Sequence, residues 1–175
     1  GWSAALVGGS LKKRYQGTVV MLKINELRIS SSGASDDTSN FIELIGPPNE
    51  TLDGRTLLVV SGEFAPGSID FAFDLTGHST DGYGVFLLSN PGEYANDPGD
   101  KTESFDLFGS PVTILLVEGF TGAAGTDLDT NDDGTLETMP WTAIVESMSL
   151  VDGDGTPDVN YAPTVVGPDG DFTFA

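Results

Sequence analysis

Ile69-Asp70-Phe71-Ala72-Phe73-Asp74-Leu75 alternates large apolar residues with small or acidic ones at a period of two. Successive side chains of a β-strand point to opposite faces, so this spacing predicts a strand that buries Ile69, Phe71, Phe73 and Leu75 and wets Asp70, Ala72 and Asp74. Residues 56–60 read differently. Their unbroken apolar run predicts a strand covered on both faces. In residues 18–29, Val20, Leu22 and Ile24 share one parity while Leu27 and Ile29 share the other, which predicts a bulge near Asn25 and Glu26. Residues 41–45, 85–88, 112–117, 143–150 and 172–174 complete a set of about eight strands. Between them stand turn formers: Gly46-Pro47-Pro48, Asp53-Gly54, Asn90-Pro91-Gly92 and Asp97-Pro98-Gly99. Many short strands separated by Gly and Pro turns imply an all-β sandwich or barrel with long acidic loops. The one helical turn expected follows Met139, with Pro140 at its first position.

Composition narrows the function classes. The chain has 175 residues and no cysteine, so neither disulfides nor thiolate zinc sites hold it together. Its length suits a single domain with a real core, taken here as residues 21–175. A formal charge of -20 opposes binding to nucleic acid. All seven Lys and Arg lie at or before Lys101, whereas residues 102–175 carry 14 acidic side chains and no basic one. So dense a field of one sign destabilises a compact state unless cations bind. No run of 18 apolar residues occurs, so no membrane-spanning helix is expected. Residues 1–20 place their apolar part before Lys12, Lys13 and Arg14, the reverse of a signal peptide. They read as a leader, an arm or a cloning remnant, with Met21 a reasonable start.

The chemistry-bearing segment is Asp127-Leu128-Asp129-Thr130-Asn131-Asp132-Asp133-Gly134-Thr135-Leu136-Glu137. Ca²⁺ takes about six to eight oxygen ligands, and a short loop supplies them when alternate residues point inward and the chain then turns sharply. With Asp129 at loop position one, Asn131, Asp133, Gly134, the backbone carbonyl of Thr135 and Glu137 fall at three, five, six, seven and nine. Leu136 at eight is expected to tuck inward, and Asp127 adds a carboxylate just outside. Pro140 stands where an EF-hand has its bidentate Glu, and no helical pattern leads in. The segment therefore reads as a calcium loop on another scaffold; the competing reading is a solvated acidic turn. A second cluster, Asp152, Asp154, Thr156 and Asp158, shows the same alternation and is a further candidate for calcium. Asp36 with Asp37, Asp97 with Asp100, and Asp169 with Asp171 read as turn chemistry. Glu26 and Glu43 lie inside apolar strands, where a buried carboxylate needs a partner; Arg28 and Arg55 are the candidates.

Three fragments together resemble a known family. Lys23-Ile24-Asn25-Glu26, then Asn40-Phe41-Ile42-Glu43-Leu44-Ile45-Gly46, then Leu52-Asp53-Gly54-Arg55-Thr56-Leu57 are similar to the successive motifs of lamin-tail-like domains, particularly the bacterial secreted branch. Val165-Val166-Gly167-Pro168-Asp169-Gly170 resembles a stretch near the end of that domain. The resemblance implies an immunoglobulin-like antiparallel β-sandwich, usually a non-catalytic module of extracellular nucleases, phosphatases or adhesive surface proteins. The acidic insert at 125–160 departs from the pattern. So does the nearness of Ala175 to the final motif, which leaves a last strand to be missing or supplied by another chain.

Enzyme chemistry finds little footing. His78 is the one histidine and reads as an exposed turn residue, no serine sits in a nucleophile elbow, and Gly8-Gly9-Ser10 lacks the spacing of a phosphate-cradling loop. Trp2 and Trp141 suit core or interface packing better than sugar stacking. The leading expectation is a non-catalytic, extracellular or cell-surface calcium-binding module with a structural or binding role. Two alternatives are a self-assembling surface or filament subunit that exchanges its N-terminal arm, and an accessory domain of a secreted hydrolase or weak carbohydrate binder. The expected partners are calcium ions and, for assembly, further copies of the chain or an extracellular polymer.

Overall fold

The structure is a computed structural model and describes residues 21–28, 40–91, 100–105, 107, 111–151 and 157–167. Its strands, in chain order, are β1 (Lys23–Arg28), β2 (Phe41–Ile45), β3 (Arg55–Ser61), β4 (Ile69–Asp74), β5 (Val85–Ser89), β6 (Lys101–Thr102), β7 (Val112–Glu118), β8 (Ala143–Leu150) and β9 (Val165–Val166). They form two sheets, one ordered β1-β2-β5-β6 and the other β4-β3-β7-β8-β9, packed face to face as an all-β sandwich. The expected purely antiparallel arrangement is corrected at two edges. β6 runs parallel to β5 and β9 parallel to β8, each as a two-residue strand that returns after a long connection. The helical turn expected after Met139 is also absent: residues 139–142 are extended or bent, and Thr121 N–H and Oγ1–H both donate to the Pro140 carbonyl. Residues 172–174, expected as a strand, and the 1–20 arm lie outside the described residues.

Between the sheets, Ile42, Leu44, Phe86 and Leu88 from one meet Leu57, Val59, Ile114 and Leu116 from the other. The bulge expected near Asn25 is present. The β1–β2 register shifts between Ile24 and Glu26, which lets Ile24 and Leu27 both face this core despite their odd spacing.

A second apolar cluster explains the unbroken run at 56–60. Leu58 and Val60 of β3 and Leu115 and Val117 of β7 point to the far side of the five-stranded sheet. They are buried there with Leu128, while Phe120, Leu136 and Trp141 pack against them half-exposed. The excursion between β7 and β8 is thus a third layer over the outer face. Ile69 joins it. The β3–β4 register jumps from Val59↔Phe71 to Val60↔Ile69, so the register skips Asp70 and Ile69 leaves the Phe71, Phe73 and Leu75 face for the outer one. That corrects the simple alternation: one face of β4 buries Phe71, Phe73 and Leu75, the other Ile69 and Ala72.

Candidate metal centre

The outer layer sets the acidic loop against the end of the β3–β4 hairpin where residues 62–68 connect the two strands. Ile69 N–H donates to the Thr126 carbonyl (2.9 Å), Gly125 N–H to the Ile69 carbonyl (2.7 Å), and Leu128 N–H to the Gly67 carbonyl (2.9 Å). Gly67 is required at this crossing: its φ is +82°, and a Cβ there would lie 2.5 Å from the Asp129 Cβ. Leu128, fully buried, is driven into the outer cluster, so its neighbours Asp127 and Asp129 are fixed in place by an apolar anchor. Leu136 repeats the device at the far end of the loop, half-buried against the same cluster. Glu137 and Thr138 N–H groups both donate to the Leu128 carbonyl, at 2.8 and 3.2 Å, which closes the loop.

Inside that closure one carboxylate is wholly shielded. Asp129 has 0% exposure. Its Oδ1 accepts from Asp133 N–H (3.1 Å), and its Oδ2 from Gly134 N–H (2.8 Å) and from the Tyr161 hydroxyl (2.8 Å). A carboxylate oxygen has two lone pairs. Oδ2 has two protein donors at hydrogen-bond distance and Oδ1 one. Glu137 is likewise held by one oxygen: Oε2 accepts from Thr130 N–H (2.8 Å) and Thr130 Oγ1–H (3.2 Å). Asp133 accepts Thr135 N–H on Oδ1 (2.9 Å) and Asn131 Nδ2–H on Oδ2 (3.2 Å), one lone pair remaining on each.

Asp129, Asp133 and Glu137 bring one oxygen each to within 4.8 Å of one another, although only Asp129 is buried. Two oxygens on one Ca²⁺ lie at most about 5 Å apart, twice the metal–oxygen distance of about 2.3 to 2.6 Å. The triad is thus of a size that a single calcium ion spans. The chain turns around it as expected, with Gly134 at φ +85° and Asp132 at +55°. Three carboxylates this close repel one another when ionised, and a divalent cation cancels that repulsion.

Electrostatics at Asp129 pull in two directions. Burial raises its pKa, but the hydrogen bonds from Tyr161, Gly134, Asp133 and Asp132 outweigh burial and hold it below the ordinary carboxylate value. The same contact acts oppositely on Tyr161. Burial first, then the hydrogen bond and charge of Asp129, with Asp132 and Asp127 adding, push its phenol well above the usual tyrosine value.

The expected ligands divide as follows. Asp129, Asp133 and Glu137 converge. Asp127 Oδ1 accepts from Asp129 N–H (3.0 Å), and Asn131 Oδ1 from Asp133 N–H (3.0 Å), so both brace the turn. Thr135 donates its N–H to Asp133 as the chain rounds Gly134. Of the second cluster, Asp152, Asp154 and Thr156 lie outside the described residues, and Asp158 is half-buried beside Val159. Val159 N–H donates to the Gly62 carbonyl (2.9 Å), and a Cβ at Gly134 would lie 3.6 Å from Val159 Cγ1, so the second segment runs against the tip of the first. Tyr161 was not anticipated; nothing local in its sequence marks a residue 32 positions away as a donor to Asp129.

Three other sequence expectations change. Glu43 accepts from Asn25 Nδ2–H at the bulge instead of pairing with arginine, and Glu26 is exposed. Arg55 pairs with Glu50 at 2.9 Å and with Glu118 at 3.5 Å. His78 is half-buried, its ring centroid 5.6 Å from that of Phe73 and 5.3 Å from that of Phe86, so the turn folds it onto the sandwich rather than into water. No helix among the described residues is long and apolar enough to cross a membrane. No protein-family model matches the chain, and a search of curated proteins returns no match.

Proposed function

We propose that this chain is a non-catalytic, calcium-stabilised β-sandwich module that works outside the cell or at its surface. The carrying observation is Asp129: a fully buried carboxylate with one oxygen within 4.8 Å of an oxygen of Asp133 and of Glu137. Asp129 Oδ1, Glu137 Oε1 and an oxygen of Asp133 are the side-chain ligands in this reading, with the Thr135 carbonyl and water completing the shell. So few protein ligands imply an affinity of about 10⁻⁴ to 10⁻³ M, which extracellular calcium fills and cytosolic calcium does not. The ion serves the fold. By joining the two ends of a loop whose Leu128 and Leu136 cover the outer face, it holds the third layer on the sheet.

A lamin-tail-like affiliation is part of the proposal. It is supported by the order of the matching fragments, which fall in β1, in β2 and in the turn leading into β3. Calorimetric titration of Ca²⁺ into the chelator-treated protein tests the calcium reading. Saturable binding that Asp133→Asn and Glu137→Gln each weaken supports it, and no binding at millimolar Ca²⁺ eliminates it.

A further inference from the structure

Asn49-Glu50-Thr51 is a glycosylation sequon, and of the chain's seven asparagines only Asn49 begins one. We propose that Asn49 is an N-glycan acceptor. The observations are independent of the calcium reading.

Asn160, also exposed, is followed by Tyr161 and Ala162 and so begins no sequon, and four further described asparagines are tied into the fold. Asn40 and Asn90 are buried, and Asn90 exchanges hydrogen bonds with the Phe105 backbone (Nδ2–H to O, 2.7 Å; N–H to Oδ1, 3.1 Å). Asn25 is bonded to Glu43, and Asn131 to Asp133. Asn49 differs from these four. It is exposed at the tip of the Gly46-Pro47-Pro48 turn, at φ +57°, and its carboxamide has no hydrogen bond to any described residue. The backbone beneath it is firm. Asn49 N–H donates to the Asp81 carbonyl (2.9 Å), and Glu50 N–H to Thr80 Oγ1 (2.9 Å). The exposure of Asn49 at this turn leaves room for a branched sugar.

The neighbouring turn supplies a platform. Tyr83, 88% exposed, stands in the turn held by Asp81, whose Oδ1 accepts from Tyr83 N–H and Val85 N–H at 2.8 Å each. An aromatic ring beside a glycan offers a flat apolar surface on which the first sugar lies.

The co-substrate is a polyprenyl-diphosphate-linked oligosaccharide, brought by a membrane-bound oligosaccharyltransferase as the chain is exported. The Asn49 amide nitrogen attacks the anomeric carbon. A C–N bond forms, the C–O bond to the diphosphate breaks with its electron pair leaving on the diphosphate, and the amide proton passes to a base of the transferase. Nothing is oxidised or reduced.

The test is to secrete the full chain from a host that carries this transferase and measure its intact mass, with and without peptide-N-glycosidase. The expected result is a mass excess that the glycosidase removes, leaving aspartate where Asn49 stood. Thr51→Ser retains the excess, whereas Asn49→Gln and Asn49→Gly lose it. Asn49→Gly suits the positive φ, so loss of the excess in that variant is not a folding defect. Secreted, folded wild-type protein at its bare peptide mass overturns the proposal.

Discussion

The Tyr161 hydroxyl donates a 2.8 Å hydrogen bond to Oδ2 of Asp129, joining the acidic loop to the segment that follows β8. Tyr161 is itself fastened to the sheet, since its N–H donates to Thr113 Oγ1 (3.1 Å), which is 2.7 Å from Ser149 Oγ. Asp129 is therefore oriented from outside its own loop. Tyr161→Phe keeps the ring and removes the donor. Outer-shell partners of metal ligands are worth about 10- to 100-fold in affinity, and with Gly134 N–H still in place we expect about tenfold weaker Ca²⁺ binding. Calorimetric titration of the variant checks this; an unchanged dissociation constant means that Tyr161 only packs.

Calcium should raise the melting temperature. With free ion at about 100 times its dissociation constant, folding gains about 2.7 kcal/mol. For a domain of this size each kcal/mol moves the midpoint by about 2 to 4 °C, so a rise of about 5 to 11 °C is expected, reversed by EDTA. Scanning calorimetry at fixed protein concentration with both additions measures it. An identical midpoint in calcium and in EDTA contradicts a stabilising ion.

Leu128→Ala should damage fold and site together. Leu128 is fully buried in the outer cluster, and truncating such a leucine costs about 2 to 5 kcal/mol. Because Leu128 also fixes the positions of Asp127 and Asp129, calcium affinity should fall as well. Leu58→Ala, in the same cluster but on β3, should cost similar stability with little effect on calcium. Urea unfolding together with calcium titration of both variants separates the two roles.

Stability should fall at both ends of the pH range. Asp129 has a folded pKa below its ordinary 3.8, so its contribution is present above that value and is lost as pH drops through the lower folded one. Tyr161 has a folded pKa above its ordinary 10.0, so its contribution is intact below 10.0 and declines as pH rises past it. Asp129→Asn should reduce the acid limb, to which Asp74, also held below its ordinary value by its hydrogen bonds from Thr76, contributes as well, and Tyr161→Phe should reduce the alkaline limb. Melting midpoints of the chelator-treated proteins across pH check both.

The sequence by itself determined whatever depends on neighbours a few positions away. Period-two alternation marked β4, the parity change marked the Asn25 bulge, and the unbroken run at 56–60 announced a strand with two covered faces. Alternating oxygens followed by Gly134 marked the turn around Asp129. Each is a local constraint that any fold of this chain must satisfy.

Tertiary structure alone decided which segment supplies the second cover. Phe120, Leu128, Leu136 and Trp141 are no more apolar than many residues elsewhere, and only the path from β7 to β8 lays them over Leu58 and Leu115. It likewise moved Ile69 to the opposite face through one register shift, and it brought Tyr161 to Asp129. Periodicity reports which side of an element is buried. It carries no information about what lies on that side, because burial free energy depends on apolar area and is indifferent to which distant residue provides it.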